Sequence, residues 1–287
     1  MIENTSKNRK KAILFMLASA SCFACMQTTV KLLPNMPTFE KVFMRNLVSL
    51  FIAFNMVKVE GSTFFGKKEN RKYLWARSIL GLLGVISYFY AIQKLVMADA
   101  AILNKLSPFF VTIFAVVFLN EEFTLRKGLS LLGVFLGALL VVKPQFSFDV
   151  IPALVGILSA AFAGGAYTLV RYLGNKERPA TIVFFFSLVS VIGMFPFTIV
   201  DFVIPSGVEW IYFIGIGIFA AGGQFCLTYG YRLANASEVS IYDYFNIIVA
   251  TFLGFLIWKE VPDLLSMFGM TIIFVVVFLE YIYRKRG

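Results

Sequence analysis

The sequence predicts an all-α membrane protein with ten transmembrane helices, arranged as two inverted five-helix repeats. The 287-residue chain is 59% hydrophobic and only 15% charged, which is too apolar for a soluble globular domain. Its apolar runs are mostly close to the roughly 20 residues that cross a hydrocarbon core about 30 Å thick. In addition, the second half of the chain repeats the pattern of the first.

Ten spans are predicted from the apolar runs, joined by short connections. The predicted spans are residues 11–33, 38–58, 72–93, 98–119, 125–143, 150–172, 179–201, 208–231, 236–258 and 263–283. The longest polar connection covers residues 60–72, so the spans leave no room for a separate extramembrane domain.

The internal repeat aligns residues 84–122 with residues 222–260 at a constant offset. The identical pairs are Gly84/Gly222, Leu95/Leu233, Ala98/Ala236, Val111/Val249, Phe114/Phe252 and Glu122/Glu260. We therefore predict two domains, residues 1–143 and 144–287, each a five-helix repeat. Because five is an odd number, the second repeat must be inverted in the membrane. Such repeats are typical of secondary transporters, whose site lies between them near the bilayer midplane.

The net charge of +10 is distributed unevenly across the predicted membrane. Most Lys and Arg residues flank span ends on the side of the N-terminus. The other side receives Lys31, Lys41, Lys94, Lys143 and Lys259. The positive-inside rule therefore predicts a multi-pass protein of the cytoplasmic (inner) membrane with both termini in the cytoplasm. No contiguous basic face is present, so we expect no nucleic-acid partner.

The cysteine and histidine content argues against catalysis and metal binding. The chain has no histidine and three cysteines, of which Cys22 and Cys25 form a C-x-x-C one helical turn apart in the first span. We interpret these cysteines as small apolar residues at a helix contact rather than a redox or metal site. We predict no cofactor, no metal and no catalytic residue, because the commonest base and ligand is missing.

Two deep charges are the first candidate site residues. Lys105 in the fourth span and Asp243 in the ninth occupy equivalent positions in the two repeats. A charge at the centre of a membrane helix costs roughly 2.5–3.5 kcal/mol on insertion scales and usually faces a cavity or a partner. The pair could be a structural salt bridge, or it could bind substrate, with Asp243 as the proton-coupling group.

The helical faces that carry these charges are small or polar. The faces run Ala101, Lys105, Pro108, Thr112 and Val239, Asp243, Asn246, Ala250. Pro108 in mid-span has no N–H for the carbonyl of Asn104, which then needs another partner such as water or a ligand.

Two arginines and several polar side chains complete the candidate set. Arg45 either snorkels to the outer headgroups or faces inward, whereas Arg77, near a cytoplasmic end, is expected to snorkel. Deep amide and tyrosine side chains that could hydrogen-bond a solute at its polar end are Tyr88, Gln224, Tyr242 and Asn246. If Arg45 faces inward, two cations oppose one deep anion, which favours an anionic or zwitterionic solute.

The chain resembles the drug/metabolite transporter superfamily, specifically its EamA-type ten-helix branch. The resemblance covers both halves and rests on Leu95-Val96-Met97-Ala98-Asp99-Ala100, Ser107-Pro108, Glu122 and Lys143-Pro144. A weaker echo in the second repeat is Leu233-Ala234-Asn235-Ala236, Asn246 and Glu260. The resemblance implies a basket-like bundle in which spans 1–4 and 6–9 surround a central cavity and spans 5 and 10 are peripheral.

These observations lead to one main functional expectation and several alternatives. We expect a secondary active transporter of small organic metabolites that works by alternating access in membrane lipid. An exporter of lipophilic cationic drugs is the alternative in the same class, although Lys105 counts against it. An intramembrane enzyme lacks a visible nucleophile or metal set, and a channel would show a continuous polar stripe or filter loop. The G-x-x-x-G of Gly133 and Gly137 fits either packing within the protomer or a homodimer contact.

Overall fold

The computed structural model describes residues 6–95, 97–143, 150–259 and 261–286, and all regular secondary structure there is helical. The helices are α1 (Ser6–Lys31), α2 (Thr38–Glu60), α3 (Arg71–Lys94), α4 (Met97–Asn104), α5 (Ser107–Leu119), α6 (Leu125–Val142), α7 (Val150–Gly174), α8 (Pro179–Val200), α9 (Gly207–Leu233), α10 (Ala236–Val239), α11 (Phe245–Trp258) and α12 (Leu264–Arg286). Two 3₁₀ helices cover Lys68–Asn70 and Ser240–Tyr244.

The helices confirm the predicted fold class. Within the described ranges, nine helical segments are long and apolar enough to span a membrane, with Ala101–Leu119 and Ala236–Trp258 each counted as one. The third predicted span lies within α3, a 24-residue helix that is not among these nine segments. The predicted repeat boundary after residue 143 meets residues 144–149, which lie outside the described part of the chain together with Val96 and Glu260 of the family motifs. That boundary stays a prediction.

The packing of the helices follows a two-fold pattern that relates the repeats. Helix α1 packs on α9 as its counterpart α7 packs on α3, and α1 contacts α11 as α7 contacts α5. Helix α2 contacts α9 as α8 contacts α3, whereas α2–α8 and α6–α12 each pair a helix with its own counterpart. The largest contacts in the described chain are therefore made twice or pair a helix with its own counterpart, whereas the contact of α7 with α9 has no comparable contact between α1 and α3.

Helices α6 and α12 form a peripheral pair, and glycines let their backbones approach. A Cβ atom on Gly137 would lie 2.9 Å from the carbonyl oxygen of Gly269, and one on Gly269 would lie 2.6 Å from the carbonyl oxygen of Gly137. The buried carboxylate of Glu280 accepts hydrogen bonds from Arg126 at 3.1 Å and Ser130 at 2.7 Å. The structure thus places Gly137 at a contact within the protomer, and a homodimer stays a prediction.

The fourth and ninth spans are broken, which corrects the expectation of continuous helices. Lys105 and Leu106 separate α4 from α5, and the 3₁₀ segment Ser240–Tyr244 separates α10 from α11. Pro108 is the second residue of α5. There its missing N–H is harmless, because the first N–H groups of a helix have no intrahelical partner. Leu106 in the first break and Ile241 in the second continue the apolar runs beside Lys105 and Asp243, so hydrophobic length alone does not reveal the breaks.

Candidate functional site

A cavity of about 160 Å³ lies at the centre of the helical bundle, between the two repeats. Its lining comes from α1 to α5, from α7 to α9, from the 3₁₀ segment Ser240–Tyr244 and from α11. The peripheral helices α6 and α12 contribute no lining residue in the described chain. This is the arrangement that the family resemblance implies.

The two helix breaks bring Lys105 and Asp243 together in this cavity. The Nζ atom of Lys105 lies 2.9 Å from Oδ2 of Asp243. The two side chains are 14% and 28% exposed, so the ion pair is largely shielded from water. Neither charge points into lipid. Both charges of the pair therefore belong to the wall of the cavity.

The breaks are also joined through the backbone. The hydroxyl of Tyr244 donates a hydrogen bond to the carbonyl oxygen of Lys105 at 2.6 Å. Because a carbonyl at a helix end has no partner within the helix, this bond supplies one from the other repeat. This hydrogen bond therefore joins the two breaks directly.

The remaining predicted site residues, with one exception, line the same cavity. Asn104, Gln224, Asn246 and Tyr88 all contribute to its wall. The amide of Asn246 also donates to the carbonyl oxygen of Ala20 at 3.1 Å, which holds α11 against α1. The structure therefore brings together residues that are far apart in sequence. Their roles in substrate binding stay predictions.

Tyr242 is the exception, because it is not among the lining residues. Its side chain is fully buried in the main hydrophobic core, near Tyr231 and Tyr244. The 3₁₀ geometry of Ser240–Tyr244 advances the chain by about three residues per turn, which turns Tyr242 away from the direction of Asp243. The helical spacing used in the sequence analysis does not apply there.

Arg45 faces inward, which resolves the two readings of that residue. It lines the cavity, and its Nε atom is buried without a hydrogen-bond partner. The wall of the cavity therefore holds a cation besides Lys105. The alternative in which Arg45 snorkels to the outer headgroups does not describe this structure.

Arg77 also faces inward, and the expectation that it snorkels is wrong. Only 1% of Arg77 is exposed, and its Nη2 atom donates to Oε1 of Gln224 at 2.9 Å. Its guanidinium carbon lies 3.8 Å from the ring centroid of Phe186. Snorkelling was the better expectation for a residue near a span end, but the amide and the ring offer the guanidinium a polar and an aromatic partner inside the bundle.

A sequence signal for Arg77 existed and was missed. Arg77, Gly81, Gly84 and Tyr88 are spaced as one face of a helix, and all four line the cavity. A Cβ atom on Gly81 would lie 2.8 Å from Phe186, so this glycine leaves room for the stacked arginine and ring. Small residues on the face of a deep arginine indicate that the face meets protein or a cavity rather than lipid.

A network of charges and backbone groups lies between the C-terminal end of α5 and the N-terminal end of α10. The carboxylate of Glu121 accepts hydrogen bonds from the backbone N–H groups of Ala236 and Ser237, at 2.8 and 2.9 Å, and from the hydroxyl of Ser237. Arg171 lies 3.5 Å from Glu121 and donates to Oδ1 of Asn235 at 3.0 Å. One acidic side chain of the first repeat thus caps α10 of the second.

Comparison with known proteins identifies the family. The model of the EamA-like transporter family matches residues 10–143 and 150–282, which is nearly the whole chain. The chain belongs to the EamA-like transporter family. This confirms the resemblance to the EamA-type branch of the drug/metabolite transporter superfamily, and it makes the chain a membrane transporter.

Curated relatives of the EamA family extend the comparison. The chain is 34% identical over 269 residues to the pseudopaline exporter CntI of Pseudomonas aeruginosa, covering 93% of this chain and 94% of the exporter. It is 24% identical to human solute carrier family 35 member G1, over 87% of this chain and 73% of that protein. A solved crystal structure with 16% sequence identity superposes with a TM-score of 0.86 over 96% of this chain and 98% of the other, which shows the shared fold.

Proposed function

We propose that this EamA-family protein is a secondary transporter that carries a small anionic or zwitterionic organic metabolite across the cytoplasmic membrane by alternating access. The observation that carries the proposal is the charge of the central cavity. Arg45, Arg77 and Lys105 contribute three cations, and Asp243 contributes the one carboxylate among the described lining residues. A lipophilic cationic drug would be repelled by this balance, so that alternative is disfavoured.

The position of the helix breaks supports alternating access. In secondary transporters, interrupted helices meet at a midplane site, and one repeat rocks against the other around it. Here Lys105 and Asp243 stand at the two breaks, and the hydrogen bond from Tyr244 to Lys105 joins them. A solute that separates this pair would act on both repeats at once.

The proposed direction is export from a cytoplasm that contains both chain termini. The uneven distribution of basic residues supports the orientation. The name of the Pseudomonas aeruginosa relative supports the direction, because that protein is called an exporter of pseudopaline. Transport by alternating access makes and breaks no covalent bond, so the proposed function includes no enzyme activity.

We further propose that Asp243 couples transport to protons. In the ligand-free pair, Lys105 stabilises the charged carboxylate at 2.9 Å. When an anionic group of the substrate draws the ammonium of Lys105 away, Asp243 loses its counter-charge and can take up a proton. The neutralised site then reorients without an unpaired buried charge, which would be costly.

The experiment is transport in proteoliposomes under an imposed pH gradient. We expect the native protein to accumulate substrate in response to the gradient and Asp243→Asn to carry substrate without responding to it. Asp201→Asn, at the exposed end of α8, is a matched control because it removes a carboxylate that does not line the cavity. If the native protein ignores the gradient, exchange of one solute for another becomes the better account.

A further inference from the structure

Arg45 and Arg77 both line the central cavity, and they bear on the number of charges that the transported solute carries. We infer that these two arginines form a binding site for two anionic groups of one substrate, so that the substrate is a dicarboxylate or another organic dianion. This inference rests on the proposed transport function and deepens it. It concerns the two arginines of the cavity wall whose positive charges are not balanced by Asp243, because that carboxylate is paired with Lys105.

The first observation is the incomplete set of partners around Arg77. This side chain is 1% exposed, yet its Nε and Nη1 atoms are buried without a hydrogen-bond partner. Only Nη2 is bonded, to the neutral amide of Gln224. Buried N–H groups of an arginine are normally satisfied, because an unmade bond leaves the full desolvation cost. Arg77 is also one of the residues that line the cavity, so a guanidinium with two unused donors forms part of the wall where an anionic group of a solute would bind.

The second observation is that Arg45 repeats this situation on another helix. Its Nε atom is also buried without a hydrogen-bond partner, and the residue lines the same cavity. The two guanidinium groups are close enough to interact electrostatically, and the phenol of Tyr167 lies within that range of both. Two like charges held near each other without a counter-charge are unfavourable unless something negative joins them.

The third observation is the charge balance of the lining. Among the side chains that the structure describes, ion pairs involve neither Arg45 nor Arg77, whereas Lys105 is paired with Asp243. The described lining therefore carries two uncompensated positive charges. Breaking a pair so that one charge stays buried alone is strongly destabilising, so two such charges call for a ligand. A dianion compensates both.

The two arginines reach the cavity from different helices. Arg45 extends from α2 of the first repeat, whereas Arg77 extends from α3 and is fixed by Gln224 and by the ring of Phe186. A planar guanidinium favours carboxylate and phosphate groups, and no described protein group uses the Nε and Nη1 donors of Arg77. A phosphate group could use the same donors, so the shared chemistry is a doubly charged oxyanion-bearing metabolite.

The test is untargeted transport, because the substrate is unidentified. Proteoliposomes are loaded with the small-molecule extract of the cells that encode the protein, and a parallel set carries the extract outside. Mass spectrometry then identifies compounds that cross only when the protein is present. We expect compounds with at least two acidic groups. If no compound crosses above protein-free liposomes, the proposed function fails; if only singly charged, neutral or cationic compounds cross, transport stands and the two-arginine site is wrong.

Variants give the second arm of the test. We expect Arg45→Gln and Arg77→Gln to reduce transport of the dianion about tenfold or more, the effect of losing one hydrogen-bonded charge. Arg71→Gln is the matched control, because Arg71 begins the same helix as Arg77 but is exposed. Unchanged dianion transport in both Gln variants would overturn the inference.

A change in substrate preference distinguishes a loss of binding from a loss of folding, because a purely structural defect would lower the transport of all compounds alike. We expect Arg77→Gln and Arg45→Gln to shift the preference of the transporter from doubly to singly charged compounds. If Arg77→Gln does not fold, Arg77→Lys keeps the charge and loses the planar pair of donors, and it should retain part of the dianion transport. A loss of all compounds in equal proportion in folded variants would contradict the assignment.

Discussion

The Nζ atom of Lys105 lies 2.9 Å from Oδ2 of Asp243, and the two residues are 138 positions apart in a chain that repeats itself at that offset. Equivalent positions of inverted repeats lie at similar depths on opposite sides of the pseudo-symmetry axis. Opposite charges there can therefore meet at the centre only if both side chains turn inward, as they do. The pair links the repeats at the point where each has a broken helix.

Replacing one member of this pair should destabilise the protein more than replacing both. We expect Lys105→Gln and Asp243→Asn each to lower the free energy of unfolding by about 1–3 kcal/mol, because each leaves a largely buried charge without its partner. The double variant should recover part of that loss. Thermal unfolding of the detergent-purified proteins measures it.

Transport distinguishes a site from a structural salt bridge. If the pair only holds the fold, the stabilised double variant should transport as well as the native protein. We expect it to be inactive, because neither charge is left to exchange partners with the solute.

The hydrogen bond between the two breaks should matter for transport as well as for stability. Tyr244→Phe removes the 2.6 Å bond to the carbonyl oxygen of Lys105 and should cost about 0.5–1.5 kcal/mol. Tyr229→Phe removes a bond of 2.8 Å to Glu60 at the cytoplasmic edge and should cost a similar amount. Only Tyr244→Phe should lower the transport rate at equal protein density. Equal transport by the two variants would show that the breaks are not coupled through this bond.

The ten spans, the inverted repeats and the meeting of Lys105 with Asp243 could be predicted, because hydrophobic length and internal repetition constrain them directly. The breaks could not, because residues such as Leu106 and Ile241 continue the apolar pattern across them. The small residues on the helical face of Arg77 indicate its inward turn, but its partners Gln224 and Phe186 come from other helices and leave no local pattern in the sequence. Long-range partners therefore account for most of what the sequence reading missed at the site.

The carboxylate of Glu121 should control the order of the segment that it caps. In Glu121→Ala the N–H groups of Ala236 and Ser237 lose their acceptor, so the free energy of unfolding should fall by about 1–3 kcal/mol. Hydrogen exchange should accelerate at residues 236–244 in particular. Glu122→Ala is the matched control, because Glu122 is the next residue and is exposed. Unchanged exchange at residues 236–244 would mean that α10 holds its place without this cap.

The two glycines of the α6 motif should respond to alanine with opposite signs. In Gly137→Ala the new Cβ atom would lie 2.9 Å from the carbonyl oxygen of Gly269, and a backbone atom cannot rotate away. We expect a loss of about 1–3 kcal/mol from overpacking. In Gly133→Ala the neighbour is a Val276 methyl group at 3.3 Å, so the gain of about 0.5–1 kcal/mol from replacing a helical glycine should dominate.

Thermal unfolding of both alanine variants measures this difference. Size-exclusion chromatography with light scattering should show the same oligomeric state for both, because the contact lies within the protomer. A change of state in Gly137→Ala alone would favour the dimer reading of the motif instead.

The C-terminal end of α6 and the N-terminal end of α12 should be held together by an ion pair that is lost in acid. Asp263 precedes α12, accepts a hydrogen bond from the backbone N–H of Ser266 at 2.9 Å and pairs with Lys143. The hydrogen bond from Lys143, followed by those from Ser266, lowers the pKa of Asp263 from 3.8 to about 2. Because the folded-state pKa is depressed, the carboxylate stabilises the fold above pH 4, and this stabilisation is lost as the pH falls toward 2.

The Tm of Asp263→Asn should therefore lie below that of the native protein at pH 6, and the difference should close between pH 4 and pH 2. Asp201→Asn, which removes an exposed carboxylate at the end of α8 on the same side of the membrane, should show no such pH-dependent difference. A Tm gap for Asp263→Asn that persists unchanged at pH 2 would show that the side chain acts through its shape rather than its charge.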